Sequence, residues 1–158
     1  MIRQCSPNDE ERILYIMNEA AKAYRGAIPQ DRYQEPYISL EELRREISEI
    51  TFFGFERGGN LLGIVGYQPV KDVTLVRHLY VLPDYQRRGI GSALLDHVLR
   101  MATSRRVLVG TWEAATWAIR FYEKHGFRLR HNRDQLLRAY WKIPDRQIET
   151  SVVLEIIT

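Results

Sequence analysis

The sequence predicts an α+β domain with strands in the middle and helices packed on the faces. Three observations predict it. Apolar residues recur at helical spacing in the first fifty positions, switch to strand-like runs, and then exchange helix and strand to the end. A Gly-Gly turn separates two of the strand-like runs, as in a hairpin. No repeat, low-complexity tract or Pro/Gly/Ser linker interrupts the 158 residues, so residues 1–158 are expected to form a single domain.

Taken in order, Ile2 to Gln4 reads as a short first strand. Ser6-Pro7-Asn8-Asp9 offers caps for a helix from about Asp9 to Tyr24, with Ile13, Leu14, Ile16, Met17 and Ala20 as its apolar side. Arg25 to Ser39 is irregular, carrying Gly26, Pro29 and Pro36. Ser39 caps a second helix whose first turn holds Glu41 and Glu42, where negative charge suits the helix dipole. Thr51 to Glu56 and Leu61 to Gln68 flank Arg57-Gly58-Gly59-Asn60, and Val73 to Leu82 is a third, longer strand. Gly89 opens a helix to about Thr103. Val107 to Thr111 reads as a strand and Ala114 to His125 as a helix closed by Gly126. Phe127 to Arg130 and Ser151 to Ile157 are two late strands, with a short helix from Asp134 to Trp141 stopped before Pro144.

Composition removes several classes of function. A single cysteine, Cys5, excludes an intrachain disulfide and a cysteine-based zinc cluster, so no metal is expected. No apolar run approaches the roughly 20 residues that cross a bilayer, and the first residues lack a secretion signal. The expectation is therefore a cytoplasmic protein with no membrane partner. The net charge of +3 comes from 19 Arg and only 4 Lys against 20 acidic residues. That excess is too small to call for nucleic acid, although guanidinium suits bidentate contact with small anions.

The most informative stretch is Leu79-Tyr80-Val81-Leu82-Pro83-Asp84-Tyr85-Gln86-Arg87-Arg88-Gly89-Ile90-Gly91-Ser92-Ala93-Leu94-Leu95. A strand runs into a turn, two arginines, two glycines and an apolar-striped helix. The first helical turn leaves N–H groups unpaired at the positive end of the dipole. Glycine lets an anion approach that backbone without a Cβ in the way. With Arg87 and Arg88 alongside, the site suits a pyrophosphate. It is neither a Walker loop, which needs Gly-Lys-Ser/Thr, nor a Rossmann fingerprint, since Leu94 replaces the third glycine. On Gly-x-Gly alone, a plain helix start with two solvated arginines explains it somewhat better.

The wider pattern decides otherwise. Gln86-Arg87-Arg88-Gly89-Ile90-Gly91, preceded by Tyr80-Val81-Leu82-Pro83, resembles the acyl-CoA motif of the GNAT superfamily of N-acetyltransferases. A second block, Ala118-Ile119-Arg120-Phe121-Tyr122-Glu123-Lys124-His125-Gly126-Phe127, is similar to that family's Ala-x-x-Phe-Tyr-x-x-x-Gly-Phe. The specific resemblance covers about Val73 to Arg130. It implies a GNAT-like α+β fold whose central sheet is mixed, mostly antiparallel, and splayed between its middle strands, with helices on both faces. It also implies acetyl-CoA as co-substrate. The pantetheine arm would bond to main chain near Leu79 and Val81, as an added strand would, and the pyrophosphate would rest on the N–H groups of Arg87, Arg88, Gly89, Ile90, Gly91 and Ser92, with Gln86 also part of the cofactor site.

The activity implied is direct attack of a primary amine on the thioester through a tetrahedral intermediate. An amine with a pKa near 10 is almost wholly protonated at pH 7, so it must lose a proton. The family's usual oxyanion donor is main chain at Val81, and Tyr122 stands at its general-acid position. Two departures stand out. Many relatives carry a glutamate four residues before Leu79, where this chain has Leu75, and an asparagine seven residues before Tyr122, where it has Ala115. The base therefore stays open between His78, Glu113 and a water relay. Strand alternation puts Leu75, Arg77 and Leu79 on one face and Val76, His78 and Tyr80 on the other, so His78 is expected to face away unless a bulge reverses it.

The acceptor side is expected to draw on Arg25, Arg32, Tyr33, Glu35 and Tyr37, and on Arg138, Tyr140, Trp141, Arg146 and Glu149. Aromatics with arginines suggest a small-molecule amine bearing a carboxylate or flat group, although the same residues would serve a homodimer contact. Transfer to a protein N-terminus or lysine, and a non-catalytic CoA-binding module, are the competing readings.

Overall fold

The structure is a computed structural model that describes residues 1–158. The hydrophobic pattern folds into seven strands and six α-helices. Strand β1 (Ile2–Gln4) leads to α1 (Glu10–Ala21), whose start is tied back to β1 by Arg3, donating to both Asp9 carboxylate oxygens at 2.9 Å. Helix α2 (Leu40–Glu49) begins with a reciprocal cap. The Glu42 N–H donates to Ser39 Oγ, and the Ser39 N–H donates to Glu42 Oε1. Strands β2 (Thr51–Arg57) and β3 (Asn60–Val70) form the expected hairpin, with Gly58 and Gly59 at φ of +60° and +81° in its turn.

Strand β4 (Val73–Val81) is followed by α3 (Ile90–Met101), β5 (Arg106–Trp112) and α4 (Thr116–Lys124). Then come β6 (Arg128–Leu129), α5 (Arg133–Tyr140), α6 (Asp145–Glu149) and β7 (Ser151–Ile157). Helix α6 was not expected. Pro144 does more than stop a helix: it sits at the N-cap of this next one, where its missing N–H costs nothing. The strand expected over Phe127 to Arg130 shrinks to two residues, because Phe127 turns into the core at 2% exposure. No helix is long and apolar enough to cross a membrane.

The strands form one sheet in the order β1-β2-β3-β4-β5-β7-β6, and only β4 and β5 run parallel. Helices α3 and α4 cover one face over Phe53, Leu62, Val65, Val76 and Val109. Helices α1 and α2 cover the other over Phe52, Leu61, Ile64 and Leu82, and α5 and α6 pack beside them over Leu75, Leu108 and Val153. This is the predicted fold class.

Two features of β4 position everything that follows. Its pairing with β5 stops at Val76–Val109. Beyond that point β4 continues on β3 to Val81–Gly63, while β5 continues on β7 to Trp112–Ser151. The two central strands therefore part. The second feature is a bulge: Tyr80 opposes Ile64 and Arg77 opposes Gly66, leaving Val65 to face both His78 and Leu79. His78 takes φ of +50° to make it.

The bulge corrects the expected alternation. Leu79 and Val81 pack with Val76 toward α3 and α4, whereas Tyr80 packs toward α1 and α2. His78 stacks on Phe52 of that second face, with ring centroids 6.0 Å apart, so it lies on the side that plain alternation denied it. Gly66 permits the close approach. A Cβ there would stand 2.7 Å from Ile50 Cγ2 and 2.8 Å from the Arg77 carbonyl oxygen.

Candidate active site

The parted strands open two adjoining cavities. The larger, about 670 Å³, runs along the loop after β4 and is walled by Val81, Gln86, Arg87, Gly89, Gly91 and Ser92 on one side and Trp117, Phe121 and Lys124 on the other. The smaller, about 120 Å³, lies between β4 and β5 and is walled by Tyr37, Arg77, His78, Trp112, Trp141 and Gln147 among others. Tyr24, Leu79, Tyr80 and Tyr122 border both. The junction of the two spaces is thus a ring of three phenols beside a strand edge.

The loop is shaped for an anion. Arg87 and Gly89 both take left-handed backbone, with φ of +63° and +82°. The first helical bond of α3 runs from the Ala93 N–H to the Gly89 carbonyl, so the N–H groups of Ile90, Gly91 and Ser92 precede the ladder and have no helical acceptor. A Cβ at Gly89 would meet nothing within 4 Å, so the helix mouth is open at that residue. Ser92 Oγ and His125 Nε2 are 3.0 Å apart, fixing the serine beside the groove. Gln86 donates to the Val81 carbonyl at 3.2 Å.

The residues singled out for the cofactor mostly gather here. Leu79, Val81, Gln86, Arg87, Gly89, Gly91 and Ser92 border the larger cavity. The side chains of Ile90 and Arg88 do not. Ile90 is 2% exposed in the core, and only its N–H remains at the helix mouth. The Arg88 guanidinium lies over the Tyr85 ring, 5.4 Å from its centroid.

Tyr122 is held between Phe121 and Phe127, with centroids 5.2 and 5.6 Å away. Burial pushes its phenol far above the ordinary range, and the neighbouring Tyr24 adds to that. Burial likewise raises Tyr24 to about 12 and Tyr80 well above its ordinary value. All three hydroxyls are protonated at neutral pH and are available as donors.

Of the base candidates, Glu113 is drawn away: Arg133 donates to it at 2.9 Å on the surface, and it borders neither cavity. His78 borders the smaller cavity; its buried Nε2 makes no aligned hydrogen bond and has the Glu46 carboxylate 3.4 Å away. Leu75 and Ala115 are both fully buried in apolar surroundings, packed as core residues rather than presented to a ligand.

The acceptor expectation needs correction. Tyr37 and Trp141 border the smaller cavity, but the expected arginines do not. Arg25 pairs with Glu35, Arg138 with Asp145 at 3.1 Å, and Arg146 with Asp31 at 3.1 Å, while Tyr140 donates to Asp72 at 2.7 Å. Each of these three guanidiniums has a local carboxylate and stays at the surface, and Arg32 borders neither cavity. The one guanidinium at the cavity is Arg77, which donates to Gln68 at 2.8 Å. Tyr24, Tyr80, Trp112 and Gln147 were missed, since nothing local in the sequence marks them. Gly110 admits one wall: the Trp141 indole occupies the space a Cβ would fill there, 3.3 Å away at its nearest atom.

Known proteins share this architecture. The sequence profile of the Acetyltransferase (GNAT) family matches residues 13–127. Spermidine N(1)-acetyltransferase of Thermoplasma acidophilum is 25% identical over 141 residues, covering 81% of this chain and 88% of that protein. UPF0157 protein YqkA of Bacillus subtilis is 30% identical over 118 residues, which span 70% of this chain but only 34% of YqkA. Among solved structures, the PaiA N-acetyltransferase of Thermoplasma acidophilum in complex with coenzyme A superposes with a TM-score of 0.74 at 20% identity, covering 100% of this chain and 98% of that one. A GNAT family acetyltransferase of Elizabethkingia anophelis with acetyl-CoA bound gives 0.66 at 20% identity, covering 100% and 97%. With the profile spanning most of the chain and the parted sheet in place, the chain belongs to the Acetyltransferase (GNAT) family.

Proposed function

We propose that this protein moves an acetyl group from acetyl-CoA to the primary amine of a small molecule, with residues 1–158 acting as one acetyltransferase domain. The observation that carries this is the meeting of the two cavities at Tyr122. One space has the free N–H groups, Arg87 and the open face of Gly89 that fit a diphosphate; the other is a separate, aromatic-walled chamber. The β4 edge beyond Val76 is unpaired on its β5 side, so an amide-bearing arm can bond to main chain near Leu79 and Val81.

In this reading the carrier's thioester lies at the junction. The amine nitrogen forms a bond to the carbonyl carbon, and the carbon–sulfur bond breaks. Main chain at Val81 stabilises the oxyanion. Tyr122, kept protonated by burial, donates to the departing sulfur and recovers the second proton from the acylated nitrogen. The chamber's volume of about 120 Å³ favours a small amine over a protein terminus or lysine, which would need an open groove. The named activity of the Thermoplasma relative, on spermidine, is in keeping with that class.

A panel of primary amines with acetyl-CoA, read by thiol release, tests the proposal. Turnover on one or more small amines is the expected result. Release only with peptide substrates would move the reading to protein acetylation, and CoA binding with no release on any amine would leave a binding module.

A further inference from the structure

We propose that His78, turned into the acceptor chamber by the β4 bulge and backed by Glu46, takes the proton from the attacking amine. The proposal rests on the acetyl-transfer reading above and supplies the base that Leu75 cannot.

His78 holds a backbone conformation that has no other evident use. A non-glycine residue at φ of +50° is disfavoured and persists only where its surroundings hold it. Here the extra residue of the bulge flips His78 to the face of Phe52 and Tyr80, on the chamber side. Its side chain is 14% exposed, and its Nε2 lies 3.4 Å from Glu46 Oε1 of α2, close but not aligned for a hydrogen bond. With Nε2 turned to the carboxylate, the ring nitrogen left for a guest in the chamber is Nδ1. Such a carboxylate selects the tautomer with the proton on Nε2 and steadies the imidazolium when it forms.

The surroundings point the same way. The residues that border the chamber include no carboxylate, and His78 is the one among them whose ordinary pKa lies near neutrality. Facing the ring are Glu46 from α2, Arg77 from its own strand and the Tyr80 phenol, and Tyr37 borders the same chamber. Gln68 of β3 accepts from Arg77. Burial lowers the His78 pKa, Arg77 adds to this, and Glu46 opposes both without cancelling them, so the ring is neutral and able to accept. Burial pushes the Glu46 carboxyl up, but His78, Arg77 and Arg45 together hold it below its ordinary value, so it stays ionised.

The proton count closes. The substrate arrives as an ammonium and gives one proton to Nδ1, making the imidazolium beside Glu46. The neutral amine attacks, Tyr122 protonates the sulfur, and the nitrogen's second proton restores Tyr122. The imidazolium then loses its proton to water once product leaves, for a net release of one proton per turnover.

The test is the pH dependence of kcat in the wild type, His78→Asn and Glu46→Gln, using an amine that the wild type acetylates. Asparagine tolerates left-handed backbone better than most residues, so the bulge is preserved. The wild type should show an acid limb below pH 6.5, the ordinary histidine value. His78→Asn should lose about 100-fold or more in kcat at pH 7. Its rate should then climb toward the amine's own pKa, while acetyl-CoA still raises its melting temperature as in the wild type. Glu46→Gln, a change in a positioning residue, should move the acid limb to lower pH, because the carboxylate raises the His78 pKa. Wild-type kcat and an unshifted profile in His78→Asn would overturn the proposal while leaving acetyl transfer intact. Should that variant fail to fold, an unmoved limb in Glu46→Gln would overturn it as well. A wild type that releases no thiol with any amine overturns both readings.

Discussion

Gly89→Asp offers the sharpest test of where the diphosphate binds. The position has open space, since a Cβ would meet nothing within 4 Å, so no clash confuses the result. Its φ of +82° imposes strain of about 1–2 kcal/mol on any L-residue. A carboxylate at this N-cap of α3 offsets only about a few tenths of a kcal/mol of that in the free protein, since glycine already caps nearly as well. The ligand feels it differently. A negative side chain about 5 Å from a doubly charged diphosphate costs about 1.7 kcal/mol even at the dielectric of water, which is roughly 20-fold in affinity. The assay is thermal unfolding with and without acetyl-CoA. At about 100 times the wild-type Kd the ligand adds about 2.7 kcal/mol, or about 5–10 °C for a chain of this size. At the same concentration Gly89→Asp retains only about 1 kcal/mol of linkage, about 2–4 °C. Gly89→Ala, which puts a Cβ in the open space at the loop but adds no charge, falls between the two. A full wild-type shift in the aspartate variant would refute the placement of the diphosphate on these N–H groups.

Three further outcomes follow from the geometry. Tyr122→Phe keeps the ring packed between Phe121 and Phe127, so acetyl-CoA affinity should hold while single-turnover thiol release falls about 10²–10⁴-fold; an unchanged rate removes the acid role. Gly66→Ala drives a methyl to 2.7 Å from Ile50 Cγ2 and 2.8 Å from the Arg77 carbonyl, so denaturant unfolding should show about 1–3 kcal/mol lost, and a wild-type midpoint would mean the bulge is not built this way. Asp9 is held down to about 2 by its hydrogen bonds from Arg3, which outweigh burial. Its folded pKa lies below the ordinary 3.8, so its contribution is present above pH 4 and lost as pH falls toward 2. Arg3→Met should remove that dependence, making the stability gap between the two proteins shrink from pH 5 to pH 2.

The local features were legible because their signals are contiguous. The Gly-Gly turn, the Ser39–Glu42 cap and the arginine-glycine helix mouth each lie within a few residues, and backbone sterics and helix-end chemistry act over that range. The Phe121-Tyr122 block likewise placed a phenol where the strands part. Facing direction along β4 was not legible, because one extra residue against Val65 inverts every later side chain and the alternation rule has no means of foreseeing it. The arginines Arg25, Arg138 and Arg146 misled for a related reason. Charge is readable in sequence, but the carboxylate that claims each guanidinium is chosen by surface geometry.

Taken alone, the order of residues determined most of the elements, the glycine-rich helix mouth and the family, since these rest on periodicity and neighbours a few positions apart. Tertiary structure decided which groups share a space: Tyr24 from beyond α1, Tyr80 and His78 from β4, Tyr122 from α4 and Trp141 from the end of α5. Those residues are far apart along the chain, and only the sheet order, the point where β4 leaves β5 and a single bulge bring them to one chamber.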